Sequence, residues 1–539
     1  MSTVDKGPTG SRYSRRSLLK RAGASAGALA LSRGAGAVMA PRAVAARSAT
    51  VSTSPTTFGR IFPTLPPFAP ATDAVRAALA DLGKPDGLLD ASDDLSKGPV
   101  LLITDLTLSA NNRNNPRHTA GTTFFGQFVD HDITFDTTSR LGVRTDPALS
   151  ANSRTPSLDL DSVYGQGPVA SPQLYDPADH DKLRIDFGGQ FEDLPRVDGG
   201  TSTAIIPDPR NDENLIIGGL QCAFILFHNN AVDWARDRGY KGGSTFEQAR
   251  RLTTWHYHWL VVHEFLPQIV GQSMVDDVLR NGRRFYKPRM REGFIPVEFQ
   301  TGAYRFGHSM VRPSYRANLR GDNGAPFFGM VFDRAGDGQT DPIDLRGGVR
   351  AARRFIGWQT FFNFGEIPRP SGVGSLGEDV RPNKLIDARI STPLFDLPLQ
   401  TIASGTPPTS LPQRNLLRQV TWGIPSGQRI ARVMGVPALE KQDLKDLKDY
   451  HLGLDESTPL WLYCLKEAEV MAGGLHLGPV GARIVGEVII GLLQLDRDSY
   501  AWHSHWRPTL PTISGRVTGD FRMIDFLAFA GVDPTTRDQ

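Results

Sequence analysis

Cysteine is nearly absent from this 539-residue chain, which has only Cys222 and Cys464. Two cysteines so far apart exclude a CxxC zinc or redox centre and a c-type haem attachment. Both lie in apolar, helix-like runs, LQCAFILF and LWLYCLKEAEV. That context reads as two buried, reduced thiols, and leaves one long-range disulfide open if the protein is exported. Charge of one sign is also scarce. The formal net charge is +3, which gives no electrostatic case for a nucleic-acid partner. The first 50 residues hold the positive excess, with Asp5 as their one acid, and the remainder is slightly acidic. Long apolar runs are missing too. No segment beyond the front end approaches about eighteen apolar residues, so no transmembrane span is expected and the mature protein should be soluble. Sustained period-two alternation is rare, so strands should be short and few. No internal repeat is present.

What remains is an ordinary globular composition, 40% hydrophobic and 22% charged, with ample length for a sizeable core. At the front, Ser14-Arg15-Arg16-Ser17-Leu18-Leu19-Lys20 precedes an alanine-rich apolar run, and Ala43-Val44-Ala45-Ala46 is similar to an A-x-A cleavage site. Residues 1–46 therefore resemble a twin-arginine signal peptide, which would send a folded protein to the periplasm or the exterior. The stretch SATVSTSPTTFGRIFPTLPPFAP opens an extended arm, taken as 47–99. From residue 100 to 539, helix-like segments alternate with Gly/Pro/Asp-rich connections, which reads as one mainly helical catalytic domain. The pattern predicts helices over Thr122–Asp132, Leu215–Asp237, Thr245–Val270 and Leu460–Glu469, and a buried run over Arg483–Gln494.

The richest stretch is Gly126-Gln127-Phe128-Val129-Asp130-His131-Asp132. On a helix Gln127 and His131 lie one turn apart on the same face, with Asp130 near it. Asp132 is rotated by about 100° from His131 and is free to serve a second site. One segment thus offers an imidazole to a pocket and a carboxylate to a cation behind it. Downstream, Thr155, the carbonyl of Ser157, Asp159 and Asp161 form an alternating series of oxygen donors that suits Ca2+. His256 and His258 are too close in sequence to share a metal from one helix, and His263-Glu264 lacks the second His of a zincin motif. His228 reads as a packing residue.

The G-Q-x-x-D-H-D run resembles the distal helix of the animal haem peroxidases, within the peroxidase–cyclooxygenase superfamily. Three further segments are similar to that family in the same order: Thr155–Gly165, Asp208-Pro209-Arg210-Asn211-Asp212-Glu213-Asn214, and Tyr304-Arg305-Phe306-Gly307-His308-Ser309. With its leader, the chain is identified as a bacterial, exported member. The resemblance implies a mainly α, peroxidase-like fold with few short strands, haem b as cofactor and a Ca2+ ion. It implies H2O2-dependent oxidation of a small phenolic or halide reductant through a ferryl haem.

By the same resemblance His131 is the distal base, Arg210 the distal cation and Gln127 a neighbour of the halide site. His308 is the iron ligand and Asn415 the partner of its second ring nitrogen. Arg305 and Arg418 hold haem propionates or the proximal region, although the usual R-x-R-D-H-G run is degraded here to RQVTWG. Asp130 and Glu213 match the acids that form haem esters in mammalian members. Asn214 stands where one subgroup has the Met of a sulfonium link, so none is expected. Asp132 joins Thr155, Ser157, Asp159 and Asp161 at the calcium site. Fatty-acid dioxygenases share the superfamily, but their radical Tyr falls three residues before the proximal His, where this chain has Arg305. A non-catalytic haem-binding or adhesion protein is the alternative of another class.

Overall fold

The computed structural model describes residues 56–108, 110–197, 203–288, 293–365, 379–450 and 452–537. The twin-arginine run at 14–20, the small-residue stretch at 43–46 and the first part of the arm lie outside them. Helix α1, Asp73–Leu82, starts where Thr72 Oγ1 accepts from Val75 N, and it buries Val75, Leu79 and Leu82 as one stripe. The extended arm expected up to residue 99 therefore gives way to helix at residue 73. An apolar stripe behind a capping Thr outweighs the Ser/Thr/Pro composition before it. Upstream, Thr56–Thr57 pair with Ala151–Asn152, so the arm is already stitched to the body there.

Helix α2, Gly121–Ile133, is buried along nearly its whole length and runs through the interior. Helix α3, Leu215–Asp237, is capped by Asn214 Oδ1, which accepts from Ile216 N and Ile217 N. Phe128 of α2 stacks on Phe224 of α3 with ring centroids 4.2 Å apart. Contrary to the expectation that no such segment exists, α3 is long and apolar enough by composition to cross a bilayer. Gln221 and His228-Asn229-Asn230 break its apolar run, which hides that property from a search for unbroken stretches. Of its apolar window, 72% is buried inside the protein. His228 is held between the Tyr164 hydroxyl at 3.0 Å and the Asp181 carbonyl at 2.8 Å, as a packing residue would be.

Helix α4, Gly243–Leu260, ends ten residues before the predicted boundary. A wider π-helical turn, Val261–Phe265, and a last helical segment, Leu266–Val270, complete the expected span. Pro267 has no N–H to continue the ladder, and the widened turn absorbs the misfit. That turn presents Phe265 to α2 at Gly126, where an added Cβ would come 2.9 Å from the ring.

Helices α5, Leu411–Thr421, α6, Leu460–Ala472, and α7, Pro479–Leu495, close the core. The start of α7 is capped from α6, since the Glu467 carboxylate accepts from Val480 N and Gly481 N at 3.0–3.2 Å. A Cβ at Gly478 would lie 2.3 Å from Glu467 Cγ, so glycine is required there. Further along α7, Glu487 is 1% exposed and accepts from the amides of Arg284, Phe285 and Tyr286 at 2.8–2.9 Å. The strands form small antiparallel pairs, as expected. The longest pair joins Ser314–Asp322 to Ala325–Met330 through Asn323-Gly324, both at positive φ. Cys222 and Cys464 are both free and buried.

Glu487→Ala removes the acceptor of three amides, one of them fully buried, and should lower stability by about 2 kcal/mol. Glu487→Gln keeps an acceptor and should cost less. Urea unfolding reads both; an unmoved midpoint for the alanine variant would mean that other groups satisfy these amides.

Candidate active site

Four elements converge on a cavity of about 250 Å³: α2, the turn Pro209–Asp212 ahead of α3, the segment around Gly307–Met310, and α5. The first two contribute Gln127, Asp130, His131, Arg210 and Glu213. The second two contribute Arg305, His308, Arg414 and Arg418. Apolar side chains including Met310, Val331, Phe332, Leu394 and Ile402 complete the lining.

His131 is buried, and its Nδ1 lies 2.8 Å from Asn211 Oδ1. Asn211 Nδ2 donates to Gln221 Oε1 at 2.8 Å, and Gln221 Nε2 donates to the Ser162 carbonyl at 3.3 Å. This chain orients both amides, so Nδ1 of His131 carries the proton and Nε2 is left as the acceptor. Burial, and then the charge of Arg210, pull the imidazole down to about 3, which keeps it neutral.

Arg210 is clamped. It donates to Asp208 from Nε at 3.0 Å and from Nη2 at 2.7 Å, and from Nη2 to the carbonyls of Thr134 at 2.6 Å and His131 at 3.2 Å. Its guanidinium also lies over the Phe135 ring. Burial alone would raise Asp208, but Arg210 and Arg154 hold it down at about 2. Asp130 and Glu213 go the other way. Burial raises both, Glu213 to about 8, with Arg210 opposing. Gln127 Nε2 donates to Glu213.

On the opposite wall burial, and then Arg305, pull His308 down to about 3. Asn415 reaches His308 as expected, with 2.8 Å between its side-chain nitrogen and Nδ1. The expected acceptor, Oδ1, instead takes a hydrogen bond from Arg305 at 3.3 Å. The reason is local, because a buried guanidinium claims the nearest oxygen. Arg305 also donates to the Gln300 carbonyl at 3.0 Å. Arg418 pairs with Asp136 and donates to Ser139 Oγ. Arg414 donates to Ser404 Oγ and to the carbonyls of Thr406 and Pro408. Burial lowers Arg305 and Arg414 to about 10.

These features fit a haem. The slot has an apolar lining and a neutral imidazole on each wall, and the buried Gln300 Oε1 beside it lacks a hydrogen-bond partner. Arg305, Arg414 and Arg418 face the slot and, among the described residues, Arg418 alone of the three is ion-paired, to Asp136, an excess of positive charge that suits the two carboxylates of a porphyrin.

Behind α2, carboxylate oxygens of Asp132, Asp159 and Asp161 lie within 4.8 Å of one another. Burial and then mutual repulsion push Asp132 well above the usual carboxylate range and Asp159 up to about 7. Leu160, between two of these acids, is buried at a φ of +59°, a conformation that costs an L-residue about 1–2 kcal/mol. Thr155 N and Oγ1 donate to Asp161, and Arg154 Nη1 donates to it at 3.1 Å. The Ser157 hydroxyl donates to Asp496 at 3.3 Å, which leaves its carbonyl, the oxygen named from sequence, untouched by that bond. Crowded acids of this kind suit a hard cation.

Asn211, Asp208, Arg154, Arg414 and Asp136 were not assigned from sequence. Asn211 lies inside the Asp208–Asn214 run, but no spacing tells that its side chain meets one 80 residues earlier. A basic residue directly before the acidic loop was an available sign for Arg154. His256 and His258 diverge as expected, bonding the carbonyls of Leu252 and Leu158.

The animal haem peroxidase family model matches residues 137–327, which include Arg210, His308 and the loop from Thr155 to Asp161. Among curated relatives, peroxidase mlt-7 of Caenorhabditis elegans is 30% identical over 39% of this chain and 30% of its own length. A probable oxidoreductase of Homo sapiens, PXDNL, is 25% identical over 38% of this chain and 15% of its own. The chain thus spans less than a third of the length of these relatives. Among solved structures, peroxidase A from Dictyostelium discoideum has a TM-score of 0.54 at 16% identity, covering 83% of this chain and 88% of that one. A fatty acid alpha-dioxygenase of Oryza sativa has a TM-score of 0.54 at 14% identity, covering 82% and 76%. The resemblance to the animal haem peroxidases and the mainly helical fold it implied are both borne out.

Calcium added to chelator-stripped protein at pH 6 is expected to raise the unfolding temperature and to release protons, because binding drives the elevated Asp132 and Asp159 to ionise. Calorimetry in two buffers of different ionisation enthalpy counts the protons. No release, or the same release from Asp159→Asn, would exclude a cation at these acids.

Proposed function

We propose that the protein is a haem peroxidase that uses H2O2 to oxidise a small phenolic or halide reductant. The observation that carries this reading is the neutral His131, its tautomer set by Asn211, beside a fixed Arg210 and across one cavity from His308. His308 would ligate the iron, Arg305, Arg414 and Arg418 would take the propionates, and Asp130 and Glu213 are available for ester links to ring methyls. When bound, the haem supplies the electrons that reduce peroxide and the oxidising equivalents that are passed to the reductant.

The chain's own groups manage protons and charge. Nε2 of His131 accepts the proton from the near oxygen of peroxide and returns it to the far oxygen, which leaves as water. Its neutrality leaves Nε2 unprotonated, and so able to accept, over the whole physiological range. Arg210, fixed by Asp208 and two backbone carbonyls, stabilises negative charge on the leaving oxygen without reorganising. Gln127, one helical turn before His131, stands at the cavity edge where a halide or phenol would be oxidised.

A fatty-acid dioxygenase is the second reading, favoured by the fold likeness to the plant enzymes. It is the weaker one, because position 305 is an arginine. The neighbouring phenol, Tyr304, stacks on Phe299 and gives its hydroxyl proton to the Gly126 carbonyl. Linoleate-dependent oxygen uptake without peroxide turnover would reverse this order. A non-catalytic haem protein would have no need to keep His131, Arg210 and His308 together. We also propose export through the Arg15-Arg16 segment. Replacing both arginines by lysine should retain the protein in the cytoplasmic fraction, and unchanged export would refute it.

In stopped-flow mixing of the haem-loaded protein with H2O2, His131→Ala should slow the Soret change by about two to four orders of magnitude. Arg210→Leu should slow it by about two to three. A base is active when unprotonated, so the wild-type rate should persist on acidification and fall only as pH approaches 3, where His131 takes up a proton. A rate already falling at pH 6, or a histidine variant as fast as wild type, would contradict the assignment.

A further inference from the structure

An unbroken run of aromatic rings leads from the cavity to the surface. Tyr304 and Phe265 both line the cavity, with ring centroids 6.5 Å apart. Phe265 meets Phe125 at 5.8 Å, and Phe125 meets Tyr257 at 6.1 Å, both edge to face. Tyr257 neighbours His258 at 6.0 Å, and His258 neighbours Tyr500 at 6.2 Å. Tyr500 then contacts Trp506 at 5.7 Å, and Trp506 contacts the half-buried Trp255 at 5.3 Å.

Any packed core brings rings together, so proximity alone would mean little. The outer end of this run is different. The Tyr500 hydroxyl lies 3.1 Å from Nε2 of His263, and His263 is exposed, its ring stacked on Trp259 at 3.7 Å. A phenol gives up an electron readily only when its proton has somewhere to go, and a neutral imidazole within hydrogen-bond reach provides that place. Partial desolvation, and then Arg507, hold His263 below its usual value, which favours the neutral ring that can take this proton. Among the described residues, neither inner tyrosine has an imidazole at its hydroxyl. Tyr304 bonds a backbone carbonyl, and the Tyr257 hydroxyl lies near the buried Asp132. The run is therefore equipped to hold an oxidising equivalent at its surface end.

We propose that the surface cluster around Tyr500, His263 and Trp506 is a second oxidation site, where phenols too bulky for the cavity are oxidised through this aromatic run. The proposal rests on the peroxidase reading, with H2O2 as the oxidant. Tyr500 passes one electron inward and its phenolic proton to His263. The resulting neutral tyrosyl radical takes an electron from a bulky phenol at the surface and recovers the proton from His263. The phenol becomes a phenoxyl radical, and its own proton goes to solvent. Two such events, with two protons from solvent, balance the reduction of one H2O2 to two waters. Small phenols enter the cavity and bypass the run. Trp255 and Trp506 meet edge to face, with Arg251 over Trp255 and Arg507 over the neighbouring Trp259, which gives a phenolic polymer rings and cations to rest on.

The test compares one phenol in two forms, free tyramine and tyramine grafted by a short bond to dextran, both oxidised by haem-loaded protein and H2O2. Dityrosine fluorescence reads the rate. Tyr500→Phe removes one hydroxyl and should slow the dextran-bound phenol by about tenfold or more while changing free tyramine by less than about twofold. His263→Gln should do the same, because it removes the base and leaves the phenol. A nitroso spin trap added with peroxide should label the peptide containing Tyr500, found by mass spectrometry, and the label should vanish in Tyr500→Phe. Free tyramine oxidised, with the dextran form equally fast in both variants and no label at Tyr500, would overturn the surface site and leave the peroxidase reading intact. Failure to oxidise free tyramine would overturn the peroxidase reading itself, and the surface site with it.

Discussion

Two guanidiniums meet on Asp208, a carboxylate with no access to water, and the site is organised around that meeting. On one side Asp208 grips Arg210, which in turn gathers the last carbonyls of α2 and so fixes the end of the helix that carries His131. On the other side Arg154 approaches Asp208 at 3.1 Å and reaches on to Asp161 in the acidic loop. The cavity and the acidic loop are therefore two ends of one ion chain. A buried charge is tolerable only while its partner is present, and a lone Arg210 at this depth would be costly. The same pairing explains how a cation can sit beside His131 at all. Asp208 compensates most of the Arg210 charge at short range, and what remains reinforces the neutrality of the imidazole.

Much of the candidate site was legible because it is local. Gln127, Asp130, His131 and Asp132 occupy a single helix, and helical geometry alone separates the pocket-facing imidazole from the carboxylate behind it. The alternating acids of the loop are likewise a short-range pattern. What escaped was held by contacts between distant segments, such as Asn211 on His131 and Asp136 on Arg418. The fold divides in the same way. Helices with long apolar runs are found near their predicted positions, but the hairpin over 314–330 has residues buried on both faces. Its strands show no alternation, so a period-two search passes over them, although Asn323-Gly324 is a strong turn signal.

Electrostatically the cavity is graded from wall to wall. Around α2 burial shifts Asp130 and Glu213 toward their uncharged forms, while the edge near α5 concentrates Arg305, Arg414 and Arg418. Grouping cations on one edge of an apolar slot orients any ligand that carries carboxylates on one side of a flat body. The imidazoles of His131 and His308 then fall on its two faces.

The proximal wall shows how tightly these requirements interlock. Asn415 offers one oxygen to two donors that want it. Arg305 takes that oxygen, and the amide nitrogen faces His308 Nδ1, which places the ring proton on Nε2. An imidazole that coordinates a metal through Nε2 must carry its proton on Nδ1 instead, and that proton needs an acceptor. Ligation at His308 therefore requires the Asn415 amide to turn over, and Arg305 must then give up Oδ1. A guanidinium released in this way still needs an anion, and it already lines the slot beside Arg414 and Arg418. The acceptor that Arg305 would lose to His308 would then come from a carboxylate on the same ligand. Ligation at His308 and carboxylate recognition would thereby be linked through one amide, each favouring the other.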